Sequence, residues 1–295
     1  SEQSKASTNR LIRLQKKKQQ QNLAEYKDRA FLSRRLAAIE TNAPVEFKEH
    51  DFIYTSPDNA RLAQLFKQFE FRQLQQDLPG KSDLSKKNYN AVFKEHELES
   101  LISRLESSNL FALDTETTSV NSMTARLIGL SFSTQPDEAF YIPCGHDYPD
   151  APSQLDLKYV LNLLRPVLEN KDIKKIGQNI KYDLMMLARY NINLRGVVFD
   201  TMLASYLINP SKRGHSLDQI ALDFLGHKTI TYEDVAGKGK KNEGFNTVAI
   251  DKAIPYACED ADITLSAYNV LKPMLEDAGL ADLMENVEVP LISVL

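Results

Sequence analysis

The spacing of apolar and polar positions changes several times along the second two thirds of the chain, and each change predicts an element. HELESLISRLESS suggests a helix; LFALDTE, RLIGLSFST and EAFYIP come next as three short β-rich runs separated by polar turns, the pattern of an antiparallel meander. Thereafter the chain alternates: LKYVLNLLRPVLEN (helix), IKKIGQ (strand), KYDLMMLARY (helix), RGVVFD (strand), then helices to about Gly279. Strands that begin as hairpins and continue in strand–helix alternation imply an α/β fold, a mixed sheet with helices packed on its faces.

The first third is less regular. Leu11 to Glu40 is rich in helix formers and holds no Gly or Pro, which predicts a helical extension. Pro44 and Pro57 interrupt the next stretch, LAQLFKQFEF has the spacing of a short helix, and QQDLPGKSDLSKKN reads as a polar linker around Pro79 and Gly80. We divide the chain into a basic helical segment (1–40), a connector (41–88), a catalytic-sized domain (89–280) and a short terminal piece (281–295). No internal repeat is visible.

Composition narrows the class. The 295 residues are 42% apolar with a mean hydropathy of -0.37, and no apolar run approaches the roughly 18 residues of a membrane span. The N-terminal stretch lacks the apolar core of a secretory signal, so a cytoplasmic protein with no membrane partner is expected. Cys144 and Cys258 lack metal or redox spacing and read as reduced packing residues. The net charge of -4 argues against simple electrostatic coating of nucleic acid. Its distribution is uneven, with ten Lys/Arg and four Asp/Glu in residues 1–40 and 26 against 36 in the remainder.

Part of that acidity lies in three short motifs. In LFALDTET the period of a strand puts Asp114 and Glu116 on one side at its end, where two carboxylates can share a cation; D-x-E is also an ordinary pair of turn acids. GQNIKYD places Asp183 just after a strand-to-helix junction, with Gly177 permitting close backbone approach and Asn179 a candidate N-cap, so it also reads as a plain helix start. In YACED, Tyr256 and Asp260 are four apart and share a helix face, whereas Asp262 is rotated away and reads as a surface acid. Together, the four carboxylates suit a pair of hard divalent cations such as Mg²⁺ or Mn²⁺.

The order D-x-E, N-x-x-Y-D, Y-x-x-x-D resembles the three exonuclease motifs of the DEDD superfamily, in its tyrosine branch. FDTMLASYLINP, HSLDQIA, HKTITYEDVAGKGKK and ENVEVPLISVL extend the likeness to the proofreading domain of the bacterial DNA polymerase I family and the start of its polymerase region. RAFLSRRLAAIETNAPVEF resembles the end of that family's 5' nuclease region. The resemblance implies a ribonuclease H-like fold and removal of nucleoside monophosphates from single-stranded DNA 3' ends. It also implies a bacterial, nucleoid-associated setting beside polymerase and 5' nuclease domains of the same parent chain.

By the same resemblance Asp114, Glu116 and Asp260 hold one metal, Asp114 bridges to a second, and Asp183 serves the second. Tyr256 and Glu116 orient the attacking water. Val120 stands where the family has a wedging leucine, Tyr232 where it has a stacking aromatic, and Gln178, Asn179, Lys238, Lys240 and Lys241 are candidate substrate contacts. Val120 and Tyr232 also read as ordinary apolar and half-buried side chains, and GKGKK as a solvated loop. The residues present predict no polymerase activity, and the apolar ENVEVPLISVL predicts a partner surface. Two other functions share the motifs: an RNA-trimming enzyme like ribonuclease D, and a catalytically silent scaffold.

Overall fold

The computed structural model describes residues 17–44, 46, 48–54, 56–69, 71, 74, 86–237 and 244–294. Two compact units divide the chain, Ser1–Pro57 and Asp58–Leu295. In the first, α1 (Lys17–Glu25) and α2 (Lys27–Ala37) follow the helix-rich run with a break at Tyr26. Positions 11–16 of that run lie outside the described residues. α2 buries no side chain, and Phe31, Leu32 and Leu36 are exposed, so its helicity rests on local propensity.

The second unit begins with α3 (Asn59–Gln68), the short helix expected from LAQLFKQFEF. Most of the polar linker, including Pro79 and Gly80, lies outside the described residues. Beyond it stands a six-stranded sheet in the order β1-β4-β3-β2-β5-β6. The strands are β1 (Asn88–Ala91), β2 (Leu110–Thr117), β3 (Leu127–Gln135), β4 (Glu138–Pro143), β5 (Lys174–Gly177) and β6 (Val197–Asp200). β2, β3 and β4 form the antiparallel meander. β5 and β6 run parallel to β2 and to each other. This is the ribonuclease H-like mixed sheet. β1, parallel to β4 at the edge, has no apolar signal in its sequence NYNA; pairing with β4 makes it a strand.

Helices α4 (Glu95–Ser107), α5 (Leu157–Glu169) and α6 (Lys181–Arg189) cover one face. Leu98, Leu105, Val160, Leu164 and Met186 pack there with Phe111, Leu113, Phe132 and Ile142. The opposite face carries α7 (Thr201–Ile208) and the long α10 (Ile250–Asp277). Short helices α8 (Leu217–Ile220) and α9 (Tyr232–Ala236) lie between them in sequence. Ala253, Ala257 and Ala261 sit four apart on α10 among Ile128, Ala139 and Tyr141, and their small side chains let the helix axis approach β3 and β4 closely. Alternation along β2 follows from this layering: Phe111 and Leu113 belong to the first cluster, and Ala112 joins Ile176, Leu265 and Leu271 on the α10 side.

Both cysteines are free; Cys258 is buried beside Ala257 and Ala261, and burial raises both thiols, Cys144 to about 12. The chain's last stretch folds back on the domain in the helical turns Ala281–Leu283, Met284–Glu288 and Val289–Ile292. Met284, just before ENVEVPLISVL, is buried in the second cluster, and Ile292 within that segment is buried in the first, which accounts for part of its apolar character; Val287, Leu291 and Val294 remain exposed. Among the described residues, no helix is long and apolar enough to cross a membrane.

Candidate active site

β2 lies where the antiparallel half of the sheet meets the parallel half, a position where ligand sites form at strand carboxyl ends in open α/β sheets. Asp114 and Glu116 share the side of Ala112 and so face α10, which supplies Asp260. Carboxylate oxygens of these three lie within 4.8 Å of one another. Thr115 points the other way, and its hydroxyl donates to Asp183 of α6 at 2.5 Å. The end of one strand therefore gathers acids from both layers. Asp183 is 2% exposed and Glu116 7%.

Burial dominates the electrostatics. It raises Asp114 to about 6, and it pushes Glu116, Asp183 and Asp260 well above the usual carboxylate range, with the Asp114 charge the next contributor for each. Tyr256 lies one helical turn before Asp260, and burial, with the Asp260 charge the next contributor, pushes its phenol up and holds it protonated. Glu116 Oε1 is buried without a hydrogen-bond partner among the described residues. An orphaned oxygen and mutually repelling carboxylates form an all-oxygen donor set suited to hard cations.

Close packing shapes this pocket. Gly129 lies opposite Glu116 on β3, and a Cβ there would meet the Tyr141 ring at 2.4 Å. At Gly177 a Cβ would lie 2.8 Å from Ile180, the close approach expected from the sequence. Asn179 does not cap α6 with its side chain. Ile180 occupies the cap position, and Asn179 adopts a left-handed backbone (φ 53) that Asn tolerates. Asp200, which the motifs did not single out, organises this turn. It is 2% exposed and accepts from the backbone N–H of Asn179 (3.2 Å), Ile180 (2.9 Å), Met202 (2.8 Å) and Leu203 (3.3 Å). One carboxylate thus starts α7 and fixes the approach to α6, hence Asp183. The signal was present: an acid followed by Thr at the junction of strand and helix is an N-cap pattern.

The outer residues line an open cleft of about 900 Å³ shared with Asp114, Glu116, Asp183 and Tyr256. Val120 is 96% exposed at its rim. Tyr232, the first residue of α9, lies nearly parallel to Phe245 (6.3 Å, 23°) and edge-on to Tyr256 (6.4 Å). Gln178 reaches the cleft, but its amide donates to His215 O (2.8 Å) and accepts from Thr201. Lys238, Lys240 and Lys241 lie outside the described residues.

Asp262 is not a surface acid. It is fully buried and accepts from Lys87 Nζ (2.7 Å), the Tyr89 hydroxyl (2.8 Å) and Asp137 N (2.8 Å). Its rotation away from Asp260 is as the helix period requires. What the sequence does not reveal is that β1 and the β3–β4 turn cover that side of α10.

A model of the 3'-5' exonuclease family matches residues 89–276. DNA polymerase I of Pseudomonas aeruginosa is 38% identical over 288 residues, covering 92% of this chain and 32% of that one. DNA polymerase I of Rhizobium leguminosarum is 39% identical over 215 residues, 67% of this chain and 21% of that one. The chain therefore spans between about a fifth and a third of the length of these curated relatives. Among solved structures, NrnC of Brucella melitensis shares the fold, with a TM-score of 0.53 at 20% identity over 70% of this chain and 90% of that one.

Proposed function

The chain belongs to the 3'-5' exonuclease family of DNA polymerase A, and from that membership we propose that it is the proofreading portion of a DNA polymerase I. Its substrate would be a single-stranded or frayed DNA 3' end, and its product a nucleoside monophosphate. The observation that carries this reading is the convergence of Asp114, Glu116, Asp183 and Tyr256 at the carboxyl end of β2, lining one open cleft, with an Asp260 carboxylate oxygen within 4.8 Å of those of Asp114 and Glu116.

Asp114, Glu116 and Asp260 would hold one divalent cation, Mg²⁺ or Mn²⁺, with Asp114 shared and Asp183 serving a second. Bound cations would neutralise the carboxylates and stabilise charge on the attacking and leaving oxygens at phosphorus. The remaining work belongs to the protein. Glu116, with a free carboxylate oxygen, and the protonated Tyr256 hydroxyl would orient a water in line with the terminal phosphodiester. The Tyr232 ring would stack on the terminal base, a contact that accepts any base and so suits an editing site. Val120 would stand beside that base as a short wedge, and Gln178 and Asn179 would border the backbone. Within the parent chain, the partners would be polymerase and 5' nuclease domains, in the bacterial cytoplasm.

A labelled single-stranded oligonucleotide, with Mg²⁺ or with EDTA, tests this. Monophosphate release is expected with Mg²⁺, none with EDTA, and a loss on the order of a thousandfold for Asp183→Ala. Cleavage surviving both changes would overturn the two-metal reading, and faster release from RNA than from DNA ends would overturn the substrate.

A further inference from the structure

Glu259 immediately precedes Asp260 on α10, is 1% exposed, and takes no part in the carboxylate cluster. A helix rotates about 100° per residue, so Glu259 leaves the axis toward a neighbouring segment while Asp260 faces β2. Both its oxygens are used there. Oε1 meets His227 Nε2 at 2.8 Å, and Oε2 accepts from Ile230 N at 2.5 Å.

The segment so held runs from Gly226, in a left-handed conformation (φ 66), to Thr231, and it has no regular secondary structure. Its other anchors are His227 N to Ala221 O (3.1 Å) and the Thr229 hydroxyl to Asp218 (2.7 Å). It ends directly at Tyr232, where Thr231 and Asp234 form a capping box that fixes the first turn of α9. Tyr232 therefore sits at the end of a six-residue strap clamped at two points by one buried carboxylate. That carboxylate belongs to the helix carrying Tyr256 and Asp260. The Tyr232 and Tyr256 rings also touch edge to face.

We infer that His227 and Glu259 are positioning residues for the proposed base-stacking site: they hold Tyr232 at a set distance from Tyr256 and Asp260, and so act on binding of the terminal nucleotide rather than on bond cleavage. The inference rests on the proposed exonuclease reading, in which Tyr232 stacks on the terminal base. Loss of the His227 ring would free the strap at one clamp point while leaving Asp260, Glu116 and Asp114 in place. Gln restores a nitrogen donor close to where the imidazole Nε2 stood.

The test uses the full chain as His227→Ala, His227→Gln, Tyr232→Ala and the double variant His227→Ala/Tyr232→Ala. Two readings are made: equilibrium binding of a fluorescent single-stranded oligonucleotide in EDTA, and steady-state monophosphate release with Mg²⁺. His227→Ala is expected to weaken binding and raise KM by about tenfold, the scale of one stacking contact, with kcat changed less than about twofold. His227→Gln is expected to recover most of the loss. In the Tyr232→Ala background, His227→Ala should add no further weakening, because the contact it positions is gone.

A fall in kcat with unchanged KM, fully additive losses, or unchanged binding in His227→Ala would overturn the inference, even when the wild-type protein releases monophosphates. If the wild-type protein binds and shows the expected pattern in EDTA but hydrolyses nothing with Mg²⁺, the positioning role stands and the exonuclease reading falls.

Discussion

Asp260 and Asp262 lie two residues apart on α10, and they have opposite surroundings. Asp262 is fully buried, yet it is saturated with donors: an ammonium, a phenol and a backbone amide. Asp260 shares its site with Asp114 and Glu116 and is pushed toward protonation by burial and by neighbouring negative charge. The same contrast holds between Asp200, which accepts from four backbone amides, and Glu116, which keeps a buried oxygen unpartnered. An acid whose donors come from the protein serves the fold. Acids gathered without enough donors are unstable as anions until something positive joins them, and that is the mark of a cation site.

The largest expected departure from this pairing comes from Asp262→Ala. It strands Lys87, 13% exposed at its side chain, with the solvent-facing Asp137 as its one remaining acid partner among the described residues, and it removes the Tyr89 hydroxyl's bond from β1 to α10. We expect a loss of about 3 kcal/mol in urea unfolding. A loss below about 1 kcal/mol would show that this acid is not the structural one.

His146 sharpens the contrast through pH. The Val248 carbonyl can only accept, so Nδ1 carries the proton (2.9 Å) and Nε2 takes the Tyr141 hydroxyl (2.8 Å). Burial lowers this imidazole to about 4. The unfolded chain binds the proton near the ordinary histidine value of 6.5, so this contribution to stability is complete above that value and is lost as pH falls toward 4. About 1 kcal/mol should disappear between about pH 7 and pH 5 with Mg²⁺ present, after allowing for solvent screening of the ring. His146→Gln should abolish that slope.

The metal-free carboxylates give the opposite sign. Their raised values mean that the folded state holds protons the unfolded state has released, so their contribution falls as pH rises from about 4 through Asp114's value of about 6. Removing one charge should therefore help. Asp183→Asn in EDTA at about pH 7.5 should gain about 1 kcal/mol, or roughly 2–4 °C in Tm, while abolishing the stabilisation expected when Mg²⁺ is added to the wild-type protein. A lower Tm in EDTA would show that the repulsion at this site is already relieved by other means.

Much of the fold and the site was readable in the sequence because it is local. The strand period placed Asp114 and Glu116 on one side, and the helix period placed Tyr256 with Asp260. The meander and the strand–helix alternation followed from apolar spacing alone. The misreadings share one cause. Asp262 reads as a surface acid because the sequence gives its angle on the helix but not what lies opposite. Asn179 reads as a cap because it precedes a helix, whereas Asp200, some twenty residues later, supplies the acceptors for that turn. β1 has no signal because its strand character comes from β4.

The sequence by itself determined which residues have the chemistry and in what order, since periodicity, turn preference and motif spacing all act over a few residues. Only the tertiary structure decided which acids would be satisfied and which would be left in mutual repulsion. That outcome depends on donors from distant segments: Lys87, Tyr89 and Asp137 close on Asp262, and no comparable set among the described residues closes on Asp114, Glu116 and Asp260. Desolvation and Coulomb repulsion depend on burial and distance in space, and neither quantity exists until the chain has folded.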